Sequence, residues 1–150
     1  MEKQVVNDKI KEILLKYKTI AMIGVSKDPT KASTIVMKYM QKYGYKVIPV
    51  NPSAKGERIL GEEVVEKLED IKIQVDIVDV FRPSNEAFSY AEDTVKIGAK
   101  VLWLQLGIRS PEAKEMLETK NIDYIENRCT KMEYQKIFLK INPAFPVLQD

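Results

Sequence analysis

Histidine is absent from this 150-residue sequence, and cysteine occurs once, at Cys129. The commonest metal ligand and general base is therefore missing, which excludes imidazole-based zinc chemistry and Ser-His-Asp hydrolysis, and one cysteine cannot close an intrachain disulfide. Neither sign of charge prevails: 24 Lys and Arg against 22 Asp and Glu leave a net charge of +2. That is too little for a general nucleic-acid binder, and no basic run or aromatic-studded basic stripe appears, so nucleic acid is not an expected partner. No apolar run approaches the roughly 20 residues that span a bilayer, so no membrane partner is expected either. The opening MEKQVVNDKIKEILLKYK carries charges through its apolar positions, unlike a secretory signal, and the expected compartment is the cytoplasm.

What is present is an alternating pattern with 45% hydrophobic and 31% charged residues, as in a globular domain. Val6, Ile10, Ile13, Leu14 and Tyr17 recur at helical spacing, predicting an N-terminal helix within residues 1–18. TIAMIGV follows as a short apolar run of the kind buried on both faces of a parallel sheet. Ile35, Val36, Tyr39 and Met40 share one face of a helix from Ala32 to Tyr43, which Gly44 is suited to end. YKVIPV then reads as strand two, NPSAKGERILG as loop, EEVVEKLEDI as a short helix and VDIVDVF as strand three.

Ser84 is placed to cap a helix that runs through Ala87, Ala91 and Val95 to Gly98, and KVLWLQLG is strand four. Ser110-Pro111-Glu112 combines a capping residue, a proline at the first helical position and an early acid, and so starts a helix ending near Lys120. IDYIE is strand five. Thr130-Lys131-Met132-Glu133 has the form of a capping box, and residues 139–150 are expected to run over the surface as a tail.

Strands alternating with helices predict an α/β, Rossmann-like doubly wound domain over residues 1–150, with a five-stranded, mainly parallel sheet and helices on both faces. Ligands in this architecture bind beyond the carboxyl ends of the strands, where strand order reverses. That draws attention to the turn after strand one and to the end of strand four, where Gln105 is a polar amide needing a partner that the ligand crevice would supply.

A dinucleotide turn of the usual kind needs three glycines, and only Gly24 is in place. Val25, Ser26, Lys31 and Ser33 supply instead backbone, hydroxyls and a cation ahead of a helix N-terminus, which still suits phosphate. Where a nicotinamide dinucleotide site has an acid at the end of strand two, this chain has Asn51-Pro52, with Lys55 and Arg58 just beyond. That corner favours an additional phosphate over bare ribose hydroxyls, although an NAD(P)-dependent oxidoreductase stays open as the alternative class.

GVS at 24–26, VIPVNP at 47–52, VDIVDVFRPSNEA at 75–87, GAKVLWLQLGI at 98–108 and NRCTKMEY at 127–134 resemble the small stand-alone CoA-binding proteins. These are similar to the N-terminal CoA-binding domain of the succinyl-CoA synthetase alpha subunit. The resemblance covers about residues 15–138 in order and spacing. It implies coenzyme A or an acyl-CoA as ligand, with phosphates at Gly24, Val25 and Ser26 and the adenine end near Asn51 and Pro52. Lys55 matches that domain's loop lysine, while Val80, Phe81 and Arg82 fall in its third block. Phe81 and Arg82 are each suited to stack on adenine; equally, Phe81 is suited to close the core and Arg82 to pair with Glu86.

The synthetase works through a phosphorylated histidine from a second domain, and no histidine is present here. The resemblance therefore implies binding without catalysis by this chain, alone or as a homo-oligomer, or as the nucleotide-binding subunit of an acyl-CoA ligase with a protein partner. Cys129 precedes a helix start and follows Arg128, both of which lower a thiol's pKa, so a mixed disulfide with coenzyme A is one reading and an inert buried thiol the other. Trp103, within an apolar strand, is expected in the core.

Overall fold

Apolar residues on both sides of TIAMI leave it nowhere to lie but between two layers, and Ile20, Ala21, Met22 and Ile23 are all fully buried. In the computed structural model, which describes residues 2–143, this stretch is the strand β1 (Thr19–Ile23). It is followed by β2 (Lys46–Val50), the two-residue strands β3 (Arg58–Ile59) and β4 (Glu62–Glu63), then β5 (Ile77–Val80), β6 (Val101–Leu104) and β7 (Asp123–Ile125). The helices are α1 (Glu2–Lys16), α2 (Ala32–Lys42), α3 (Ser84–Lys96), α4 (Pro111–Glu118) and α5 (Thr130–Tyr134), the last continuing as a π-helical turn over Gln135–Leu139.

The main sheet has the order β2-β1-β5-β6-β7 with every pairing parallel, the doubly wound arrangement read from the sequence. Strand alternation sorts its side chains into two cores. Ile20, Met22, Ile77 and Trp103 face α1, α2 and α5, where they meet Ile13, Leu14, Val36 and Met40. Ala21, Ile23, Val78, Val80 and Leu104 face α3 and α4, where Ala87 and Ala91 let α3 lie close on the sheet. Trp103 is fully buried as expected, and its indole N–H donates to the Arg128 carbonyl at 2.8 Å.

The order reverses between β1 and β5. The chain leaves β1 toward α2 on one face and leaves β5 toward α3 on the other, so a crevice opens between Gly24 and Phe81. The Phe81 N–H donates to Ile23 O at 2.9 Å and the Gly24 N–H to Val50 O at 2.8 Å, which fixes both rims to the sheet. Among the described residues no helix is long and apolar enough to cross a membrane.

Three local expectations are corrected. EEVVEKLEDI is not a helix: β4 is followed by a parallel bridge from Val65 to Val50 and a 3-10 turn at Leu68–Asp70. As an edge strand β2 has backbone groups open on one side, and this segment satisfies them, with Val65 N–H on Pro49 O at 3.1 Å and Asn51 N–H on Val65 O at 2.9 Å. Ser84 does not cap α3, whose N-cap is Pro83; its hydroxyl accepts the Arg109 N–H at 3.0 Å and ties the loop after β6 to α3. The capping box at Thr130 does not form either, because the N-cap is Cys129 and the Thr130 hydroxyl turns inward to Asp79. Ser110, by contrast, accepts the Ala113 N–H ahead of Pro111, as its sequence requires. Of the expected surface tail, residues 140–142 are exposed and residues 144–150 lie outside the described residues.

Candidate functional site

Gly24 turns the chain out of β1 with φ +89°, a conformation that disfavours a side chain. A Cβ there would also stand 3.0 Å from Arg82 Cδ and 3.2 Å from Phe81 O, so the Arg82 stem lies directly across the turn. Beyond Gly24 the loop is braced by hydroxyls. Ser26 N–H donates to Ser33 Oγ at 3.1 Å, Asp28 N–H to Ser26 Oγ at 3.0 Å, and the Thr34 hydroxyl to Ser26 O at 2.6 Å. Asp28 accepts both the N–H and the hydroxyl of Thr30, which hold its carboxyl below the usual range. Val25 is fully buried, and its backbone N–H has no acceptor among the described residues. Buried amides of that kind are nearly always paired, and a small shift of the turn is what would bring this donor to an oxygen from outside the chain.

Asn51 holds the turn from the β2 side. Its Nδ2 donates to Val25 O at 2.8 Å and its Oδ1 accepts the Ser53 N–H at 2.9 Å, so both ends of the amide are used within the protein. Pro52 begins a 3-10 turn and rims a cavity of about 230 Å³ lined by Ile23, Val50, Leu68, Tyr90 and Ile97. Lys31 is the exposed N-cap of α2, and Lys55 Nζ lies 3.2 Å from Glu66 on the exposed rim of a second depression of about 610 Å³. The sequence-selected residues Gly24, Val25, Ser26, Ser33 and Asn51 are thus brought together by hydrogen bonds, with Arg82 above them.

A family model described as a CoA binding domain matches residues 18–135. The chain belongs to that family. It is 40% identical over 125 residues to YneT, an uncharacterized protein of Bacillus subtilis strain 168, with 83% of this chain and 91% of that protein covered. The solved structure of cell-free ID.343 from Thermus thermophilus superposes with a TM-score of 0.84 at 37% identity, over 88% of this chain and 98% of that chain. A hypothetical protein from Pyrococcus horikoshii OT3 matches with a TM-score of 0.83 at 34% identity, over 87% and 91% of the two chains.

Within this fold Val80 and Gln105 sit differently from expectation, while Phe81 and Cys129 each take one of the two readings open to them. Val80 is fully buried against α3, so its side chain is core and not ligand contact. Phe81 packs on the core beside α2, the second of its two readings. Gln105 is only 3% exposed and finds its partners inside the protein, its Nε2 donating to Asp79 Oδ1 at 2.6 Å and to Thr130 Oγ1 at 3.2 Å. Its strand leaves it over the core, beside an acid that needs a donor more than a ligand does.

Cys129 is 2% exposed, and its surroundings raise its thiol instead of lowering it. Burial pushes it up to about 11, and the neighbouring Asp79 adds to the rise, while the Met132 and Lys131 amides oppose it too weakly. The Arg128 guanidinium that was to lower it is engaged with Glu133 at 3.3 Å and Asn7 at 3.2 Å. A further cavity of about 890 Å³, bordered by Cys129, Leu106 and Val6, lies along the β7 edge of the sheet.

Sequence reasoning gives Asp79 no role, since with Asp76 three residues away on the opposite face it forms no acid/base dyad, and it does not single out Tyr90. Asp79 is fully buried, and burial raises its carboxyl to about 7 against the opposing hydrogen bonds from Gln105 and Thr130. The signal was the second of two acids in the apolar run VDIVDVF, the one with apolar residues on both sides of it within the strand. Tyr90 carried no signal, since a tyrosine on a helix face is ordinarily packing.

Proposed function

We propose that this chain binds coenzyme A or an acyl-CoA in the crevice between β1 and β5, in the cytoplasm, and has no catalysis of its own. The observation that carries this reading is the turn Gly24-Val25-Ser26, where a glycine crossed by the Arg82 stem is followed by a buried N–H without a protein acceptor, held in place by Asn51. Diphosphate oxygens fit that amide, and each charge-assisted hydrogen bond to them contributes roughly 1.5 to 3 kcal/mol. Arg82 and Lys31 are the cations beside the turn, and Lys55, on the rim of the neighbouring depression, is the donor proposed for the 3′-phosphate. The small cavity under Pro52, walled by Val50 and Tyr90, is the proposed seat of the adenine.

The NAD(P) reading needs a carboxylate at the end of β2 to accept the ribose hydroxyls. Asn51 offers none, and its amide oxygen is already bonded to Ser53 N–H. Acyl transfer through a phosphorylated residue of the kind used by the synthetase would require a histidine from another chain, because none occurs here. Calorimetric titration with coenzyme A, acetyl-CoA, NADH and NADPH tests the proposal directly. Saturable binding of the two CoA species is expected, and tight NADH binding with no response to coenzyme A would refute it.

A further inference from the structure

Arg82 follows Phe81, whose N–H is bonded to Ile23 O, so its backbone cannot move independently of the turn. Its stem lies against Gly24, and its guanidinium is gripped by Glu86 in a two-point fork, Nε to Oε1 at 3.1 Å and the terminal nitrogen to Oε2 at 2.8 Å. Glu86 is one turn into α3 from Arg82, and one turn further the Tyr90 hydroxyl lies 3.5 Å from the same Oε1. Tyr90 in turn walls the cavity beneath Pro52. Arg82, Glu86 and Tyr90 therefore form a ladder along one face of α3, from the phosphate turn to the small cavity.

From this we infer that Glu86 is the specificity-determining residue of the crevice, a resident anion that a diphosphate must displace from Arg82. The inference rests on the proposed ligand class and deepens it. A guanidinium fork accepts a carboxylate or two phosphate oxygens with the same geometry. The side chains of Arg82 and Glu86 are 47% and 35% exposed, so their pairing is weak enough to exchange. A diphosphate at Gly24-Val25-Ser26 brings more negative charge than one carboxylate and draws the guanidinium over the turn. Glu86 keeps the Tyr90 hydroxyl as a donor but now stands as an unpaired anion near the ligand. Molecules of low charge cannot open the pair, so Glu86 lowers affinity for all ligands while setting a minimum charge for entry.

Calorimetry on the full chain and on Glu86→Gln, Arg82→Ala and the double variant, with coenzyme A and inorganic pyrophosphate as probes, tests this. Glu86→Gln is expected to bind coenzyme A about two- to fivefold more tightly, Arg82→Ala about tenfold more weakly, and the Glu86→Gln gain is expected to vanish when Arg82 is absent. A merely structural carboxylate would give the opposite sign, and unchanged or weakened binding by Glu86→Gln overturns the inference while leaving the CoA reading intact. If the parent chain takes up no coenzyme A, the CoA reading fails and pyrophosphate decides the ladder: tighter binding by Glu86→Gln supports it, and equal binding refutes it. Thermal melting of each variant confirms that the fold is retained, as expected for a change at the half-buried Glu86 on the first turn of α3.

Discussion

Replacing Asp79 by asparagine should stabilise the protein, and by an amount that grows with pH. The carboxyl sits on β5 opposite Trp103 of β6, fully buried, with Gln105 and Thr130 as its only hydrogen-bond donors and no cation paired with it among the described residues. Burial raises it from 3.8 to about 7. The folded state therefore holds a proton between about pH 4 and pH 7 that the unfolded chain has released. Stability falls as pH rises through that window and levels off above it. At 1.36 kcal/mol per pKa unit the full effect is roughly 4 kcal/mol, an upper bound because a relaxing interior shields part of the charge. Asparagine removes the titration, keeps an oxygen for Gln105 Nε2 and presents an N–H that the Thr130 hydroxyl can accept after rotating. Urea unfolding followed by the fluorescence of Trp103, the single tryptophan, gives the difference between parent and Asp79→Asn at pH 4.5, 6 and 8. Subtracting one protein from the other cancels the remaining carboxylates. A difference of about 1 kcal/mol or less at pH 4.5 that rises to about 2 to 4 kcal/mol at pH 8 is expected. A difference that does not vary with pH, or a variant less stable at pH 8, would refute the account of Asp79 as a charge held against desolvation.

Cys129, with its thiol at about 11, should carry on the order of one thiolate per several thousand molecules at pH 7.5, so a thiol reagent should label it only as the protein unfolds in urea. Rapid stoichiometric labelling of folded protein, or a CoA adduct at Cys129 under oxidising conditions, would restore the thiol-linked reading. Gly24→Ala should cost about 1 to 2 kcal/mol from its positive φ alone, and the added methyl must push Arg82 aside, so coenzyme A binding should weaken at least about tenfold. Parent-like affinity in that variant would mean that the turn does not hold the ligand.

The parts of the fold legible in the sequence were those set by periodicity and buried runs. β1, β2, β5, β6 and β7 are short apolar stretches, and their alternation with helical patterns implies a parallel sheet. The segment after Gly61 was not legible in that way. EEVVEKLEDI has helical composition, but the open edge of β2 needs backbone partners, and a tertiary demand of that kind outweighs propensity. The same reason defeated the capping box at Thr130: its hydroxyl is drawn to a buried carboxylate 51 positions earlier in the chain, which local spacing cannot foresee. In the candidate site, the residue types around Gly24 were readable but their division of labour was not. Asn51 and Ser33 are expected as ligand contacts, and the structure adds that each also bonds the turn itself.

That division of labour explains how one glycine serves where a dinucleotide turn uses three. In the three-glycine form, bare backbone makes the tight bend, lets the diphosphate approach and lets the helix close on the strand. Here Gly24 alone makes the bend, and its missing side chain admits the Arg82 stem. Ser33 and Thr34, at the start of α2, then bind Ser26 N–H and Ser26 O, while Asn51 binds Val25 O from the other side. Three side-chain hydrogen bonds fix the loop that further glycines would have left pliable, and they leave the Val25 N–H as the buried donor without a protein partner. The amide at position 51 is also what removes the ribose-binding carboxylate. Asparagine at the end of β2 thus braces the turn through Val25 O and at the same time leaves that corner without a carboxylate for ribose hydroxyls, so one residue accounts for both departures from the dinucleotide pattern.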